Sequence, residues 1–248
     1  MVDSHLLLFA AAFGAGVMNS VAGGGTFLTF PALVFTGVPS VIANATSTVS
    51  LFPGAFASAW AYRKDLTALR GVPLKAALAV SIVGGLIGAS LLLYTSESTF
   101  DFIIPWLLLF ASTIFTFGPR LTKTLEGRSL TNPTALITFQ FLAAIYGGYF
   151  GGAVGIIILA LWSMMGITDI HAMNASKTLL GGTMNAAAVV LFIVAGKIWW
   201  PQTAVMLVAA VTGGYVGARM AKRTNARLVR SFITVLCFTV TILFFIRA

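Results

Sequence analysis

The chain has 248 residues, 58% of them hydrophobic and only 8% charged, with a mean hydropathy of +0.98. A soluble globular domain carries about 25% charged residues, so this composition excludes one and calls for a polytopic helical protein of the lipid bilayer. The formal charge of +9 is not a nucleic-acid footprint, because the Lys and Arg residues sit in short clusters between apolar runs, as cytoplasmic loops do under the positive-inside rule.

Residues 4–22 form an apolar run that could pass for a signal peptide, but Met1 to His5 hold no Lys or Arg, and the segment is expected to stay in the mature protein. It runs into "NSVAGGGTFLTFP", residues 19–31, where three consecutive glycines interrupt what composition reads as a membrane helix. Non-helical backbone at membrane depth is tolerated only when buried in protein or lining a wet cavity. Glycine suits such a place because it permits unusual backbone angles and close approach of a ligand. Region 4–36 is therefore expected to be a broken helical hairpin. Full spans follow at 40–60, 72–95 and 102–117, and then a polar segment at 118–132. A second interrupted region, 134–165, contains "GGYFGGAVG" and precedes spans at 172–195, 202–221 and 230–246. Glycines also let helices pack closely, and that reading is preferred for Gly84, Gly88, Gly213 and Gly217, which show small-xxx-small spacing. A nucleotide-binding loop is rejected, because the required Lys and the preceding strand are missing. The lone Cys237 lies in an apolar run and allows no intramolecular disulfide.

The chain repeats itself. "GVPSVIANATST" from Gly37 matches "GITDIHAMNASKT" from Gly166, and "VGGLIGASL" at 83–91 matches "TGGYVGARM" at 212–220, at an offset of 129 or 130 residues. Duplicated halves are common in transporters. Residues 1–117 and 133–248 are read as two repeats of one membrane domain, joined by a cytoplasmic linker at 118–132. In the first half the basic loop "YRKDLTALR" precedes the acidic "SESTFD"; in the second, "AGKIWWPQ" precedes the basic "RMAKRTNARLVR". This exchange of sides marks an inverted-topology repeat with an odd number of crossings per half. If each interrupted region enters and returns, 12 of the 15 Lys and Arg residues lie inside; if each is a single span, only nine do. The charge bias prefers the hairpins. The expected fold is thus all-α, two inverted repeats, each a Gly-broken helical hairpin followed by three transmembrane helices.

All six acids, Asp3, Asp65, Glu97, Asp101, Glu126 and Asp169, are placed in loops or at a terminus, and His5 and His171 at segment ends. That leaves no carboxylate or imidazole at the membrane centre for a metal, a proton relay or acid–base work, so neither an enzyme nor a cofactor is expected. The exception is Lys177, in "MNASKTLLGGTMN" near the start of an apolar span. A charge there is costly and is by default a functional hypothesis; the competing reading is a side chain snorkelling to the cytoplasmic surface. Asn174, Lys177 and Thr178 share a helix face, and Asn44, Ser47 and Thr48 form the counterpart in the first half. The competing reading of the hydroxyls is interhelical bonding. Hydroxyl and amide donors, backbone amides at broken-helix N-termini and one ammonium suit a small oxyanion.

"GVMNSVAGGGTFLTFPAL", followed by "VIANATSTV" and the "NASKT" echo, resembles the sulfite exporter TauE/SafE family of membrane permeases over essentially the full chain. The resemblance implies movement of sulfur-containing or related organic anions, such as sulfite, sulfonates or sulfoacetate, across the cytoplasmic membrane. In the second half, "GGAVGIIILAL" lacks the Pro, and Lys177 stands where the first half has Ser47.

The resulting expectation is a multi-pass secondary transporter or facilitator for a small anion, working by alternating access. Lys177 supplies the charge, and Asn44, Thr46, Ser47, Asn174 and Ser176 orient the oxygens. Gly23, Gly24, Gly25, Gly151, Gly152 and Gly155 open the backbone, with Asn19 and Ser20 as donors from the first hairpin. A passive anion channel would use the same residues, and a structural membrane subunit would need no aqueous path. The expected partners are the anion and the bilayer, not nucleic acid, and the Gly-xxx-Gly faces permit a homodimer.

Overall fold

The computed structural model describes residues 2–21, 24–61, 74–125, 133–164, 170–221 and 226–247. Among the described residues there are ten helices: α1 (Val2–Val21), α2 (Thr26–Phe35), α3 (Ser40–Ala61), α4 (Leu74–Tyr94), α5 (Glu97–Leu125), α6 (Pro133–Tyr149), α7 (Val154–Met164), α8 (Ile170–Val194), α9 (Trp200–Ala221) and α10 (Ala226–Arg247). Both interrupted regions are broken helices, and helices start and stop close to where the six long apolar runs do. The third span is the exception. Helix α5 continues through residues 118–125, so the first part of the expected linker is helical.

Among the described residues, three helical stretches, Leu74–Tyr94, Glu97–Gly118 and Ala175–Val194, are long and apolar enough to cross a bilayer unaided. Large apolar side chains such as Phe102, Trp106, Phe139, Val208 and Ile246 are exposed on the outside of the bundle. Apolar surface on that scale needs lipid against it.

Packing joins helices far apart in sequence. Helix α1 lies against α9, α4 lies against α6 and α8, and α3 runs between α8 and α9. Small residues set these distances. A Cβ on Gly84 would meet the Phe141 carbonyl oxygen at 2.9 Å, and one on Gly88 would meet the Tyr149 amide nitrogen at 2.7 Å. Gly213 stands equally close to the backbone of Phe13, while Gly217 is buried one turn further along α9. Close backbone approach without a hydrophobic driving force between helices is the expected use of such glycines in lipid.

One end of the bundle is well defined. Ser40 Oγ donates to a carboxylate oxygen of Asp101, and the Val41 amide donates to Glu97 Oε2 at 2.9 Å. Expected in a loop, Glu97 and Asp101 instead occupy the first turns of α5. The reason is electrostatic: the first N–H groups of α3 have no intrahelical acceptor, and a carboxylate there satisfies both the orphan donors and the positive end of the helix dipole. Arg247, the last residue of α10, lies over the Phe35 ring at 5.8 Å. The starts of α3 and α5 and the ends of α2 and α10 therefore share this end.

Candidate substrate site

Each break is built from a glycine in the left-handed region and a polar side chain that stabilises the exposed backbone. At the first, Gly24 has φ +91°, and the Gly25 amide donates to Asn19 Oδ1 at 2.8 Å. At the second, Gly151 has φ +79° and Ala153 φ +59°; the Tyr146 hydroxyl donates to the Gly152 carbonyl at 2.7 Å. The amides of Gly25 and Gly151 are both bonded within the protein, the latter to the Tyr146 carbonyl at 3.2 Å. They are not open donors in this conformation.

The two breaks converge on α5. A Cβ on Gly24 would lie 3.4 Å from the Phe115 ring, and one on Gly152 would lie 3.2 Å from Ala111 Cβ, one helical turn away. Helix α3 ties them together from the other side. Asn44 Nδ2 donates to the Tyr149 carbonyl at 2.9 Å, at the end of α6. One turn later, Ser47 Oγ and Thr29 Oγ1 of α2 lie 2.6 Å apart. Thr46 Oγ1 accepts from the Trp199 amide at 3.2 Å, just before α9. Asn44, Thr46 and Ser47 are all buried, so one stretch of α3 holds both hairpins and the approach to α9.

Lys177 comes to the second break from α8. A Cβ on Gly155 would stand 3.2 Å from Lys177 Cδ and 3.5 Å from its Cγ. The half-buried lysine stem thus lies along the bare backbone that opens α7, and a larger residue at 155 would displace it. An ammonium-bearing side chain and a helix start are brought together, and both favour negative charge.

Two polar atoms here have no hydrogen-bond partner: Ser176 Oγ, next to Lys177, and Asn44 Oδ1. Both residues are buried, and an unsatisfied buried polar group costs about 1–3 kcal/mol. The amide orientation of Asn44 follows from its neighbour, since the Tyr149 carbonyl can only accept. Gly23 and the side chains of Ser20 and Asn174 lie outside the described residues. Thr48, Ser50 and Thr183 bond to carbonyls one turn back in their own helices, which is the ordinary use of a hydroxyl in a membrane helix.

Sequence reasoning missed Thr29, Tyr146 and Tyr149. A signal existed for Thr29, a hydroxyl four residues after Gly25 in an otherwise apolar stretch.

The model of the family described as sulfite exporter TauE/SafE matches residues 8–244. The chain belongs to the sulfite exporter TauE/SafE family. A probable membrane transporter protein of Haemophilus influenzae is 29% identical over 243 residues, covering 97% of this chain and 94% of the relative. The probable membrane transporter protein YfcA of Escherichia coli K12 is 32% identical over 240 residues, with 95% and 88% covered. A probable membrane transporter protein, ORF9, of a Sinorhizobium species is 27% identical over 245 residues, with 96% and 92% covered. The match to these TauE/SafE relatives covers nearly the whole chain, and this protein is a membrane protein of a transporter family.

Proposed function

We propose that this protein is a multi-pass carrier of the cytoplasmic membrane that moves a small anion, a sulfur-containing oxyanion or organosulfonate, by alternating access. The observation that carries the reading is the Lys177 stem laid along Gly155 at the second break, with the unpartnered Ser176 hydroxyl beside it. Lys177 supplies the charge, and Ser176 and Asn174 orient oxygens from α8. Asn44, Thr46 and Ser47 do so from α3, and their present bonds to the hairpins would exchange for bonds to the ligand as the site opens. The family description and the names of the relatives support transport of this kind.

Inverted repeats at 1–117 and 133–248 supply the two-state element that alternating access needs. Three observations support them. The packing is reciprocal: α1 on α9 and α6 on α4 are the same pair with the halves exchanged. Ser112 Oγ and Thr241 Oγ1 lie 3.1 Å apart and 129 residues apart in sequence, the offset of the repeat, as expected where equivalent residues meet on a two-fold axis. Finally, the end of α10 meets the start of α5 at one end of the bundle. An eight-span parallel arrangement would put those two ends on opposite sides of the membrane.

The test is counterflow in proteoliposomes across sulfite, sulfate, thiosulfate, sulfonates, carboxylates and chloride. Saturable exchange confined to one sulfur-anion class is the expected result. Flux that never saturates, or no flux for any of them, would overturn the reading.

A further inference from the structure

A cavity of about 320 Å³ opens at the end of the bundle where α2, α5 and α10 meet, lined by Val34, Ser98, Asp101, Phe102, Phe244 and Arg247. We propose that it is the outer vestibule of the transport path and that Phe30 is the gate closing its floor. This rests on the carrier reading above and adds to it a route, a gating residue and a first cationic contact for the anion.

Phe244 forms part of the cavity wall and stacks on Phe30 of α2, centroids 5.7 Å apart and planes at 27°. Phe30 is fully buried. Its ring meets Phe150, next to Gly151 of the second break, edge-on at 5.9 Å, and Phe100 of α5 at 6.4 Å. Immediately before it, Thr29 makes the 2.6 Å contact to Ser47. From the open cavity inward the contacts run to a four-ring apolar cluster and, through Thr29 beside Phe30, to the polar stretch of α3. Apolar constrictions of this kind close a path by excluding water from it.

The plug sits on a short helix with a glycine turn at each end. Helix α2 has ten residues and is flanked by Gly24 at φ +91° and Gly37 at φ +89°, conformations glycine adopts without strain. Gly37 has open space where a Cβ would be. In the proposed opening α2 swings as a unit about these two glycines, which would carry Phe30 and Thr29 away from Phe150 and Ser47 together. In the vestibule the Asp101 carboxylate is engaged by Ser40. Arg247 is exposed at the rim and rests on the Phe35 ring, where it raises the local concentration of an approaching anion.

The experiment is thiol labelling from the outer side, in a Cys237→Ala background, with a small membrane-impermeant methanethiosulfonate. Ser47→Cys should react at least tenfold faster when Phe30→Ala is added. Ser98→Cys, on the vestibule wall, should react rapidly and equally with or without Phe30→Ala, which separates gate opening from general loosening. Equal labelling of Ser47→Cys in both backgrounds, or a slow Ser98→Cys, would overturn the proposal. Phe30→Trp, which keeps the plug filled, should lower flux at least fivefold while Ser98→Cys labelling stays unchanged; undiminished flux would count against the gate. Arg247→Gln should raise KM for the external anion several-fold with kcat retained, and an unaltered KM would remove the vestibule's role in capture. Labelling needs no substrate, so its failure is distinct from that of the carrier reading, which fails if the wild type shows no saturable flux.

Discussion

The two glycine breaks solve the same problem with different chemistry. The first is closed by neutral groups: Asn19 satisfies the Gly25 amide, and a pair of hydroxyls joins α2 to α3. The second is approached by a cation, with Lys177 lying along Gly155 where the aligned residue of the first half is Ser47. Both breaks keep a glycine bend, and among the described residues only the second has a cationic side chain laid along it. In the carrier proposed above, the first hairpin would gate and the second would bind, because a neutral interface separates at less cost than one from which a buried charge must be withdrawn.

The largest effect is expected at the helix crossings that both breaks depend on. Gly88→Leu should abolish recovery of folded protein, because its side chain would meet the α6 backbone at Tyr149, an overpacking cost of about 3 kcal/mol or more. Gly181→Ala, with open space at its Cβ, should leave the yield unchanged; monodispersity of the detergent-purified protein reads both. Next is the charge itself. Lys177→Ala should lower anion flux roughly 100-fold, while Ser47→Ala should lower it only about fivefold, a difference between a charged and a neutral hydrogen bond. Equal losses would mean that the halves share the binding role. Smaller effects follow at the breaks. Asn44→Ala leaves the Tyr149 carbonyl without its donor and should cost about 1–3 kcal/mol, whereas Asn19→Ala should cost about 1 kcal/mol, as losing a cap does. Tyr146→Phe, which removes the bond to the Gly152 carbonyl, should be the mildest at about 1 kcal/mol or less. Thermal unfolding in one detergent ranks the three.

Much of this was legible in the chain because it rests on local rules. Three glycines in an apolar run break a helix wherever they occur, and Gly84, Gly88 and Gly213 sit at helix crossings as their spacing predicts. Lys177 stands out because a cation in an apolar span needs a reason. What could not be read depends on partners far away in sequence. Nothing near Asn44 announces a carbonyl 105 residues later, and nothing near Thr46 announces the Trp199 amide. Glu97 and Asp101 read as loop acids because their role is to cap another helix, which only packing discloses. The extension of α5 to Leu125 was hidden by its polar side chains; a helix that outruns the hydrocarbon needs no apolar surface there. Phe30 was one of 20 phenylalanines until its neighbours were known.

Anion binding at Lys177 is tested by ligand-induced thermal stabilisation of the purified protein with sulfur oxyanions and sulfonates, Lys177→Met alongside. Methionine keeps most of the stem that lies on Gly155 and removes the ammonium group. A ligand binding the folded state alone at 100 times its dissociation constant adds about 2.7 kcal/mol. A selective upward shift for one anion class is expected in the wild type and none in Lys177→Met, each measured against the same protein without ligand. An equal shift in both proteins would contradict it.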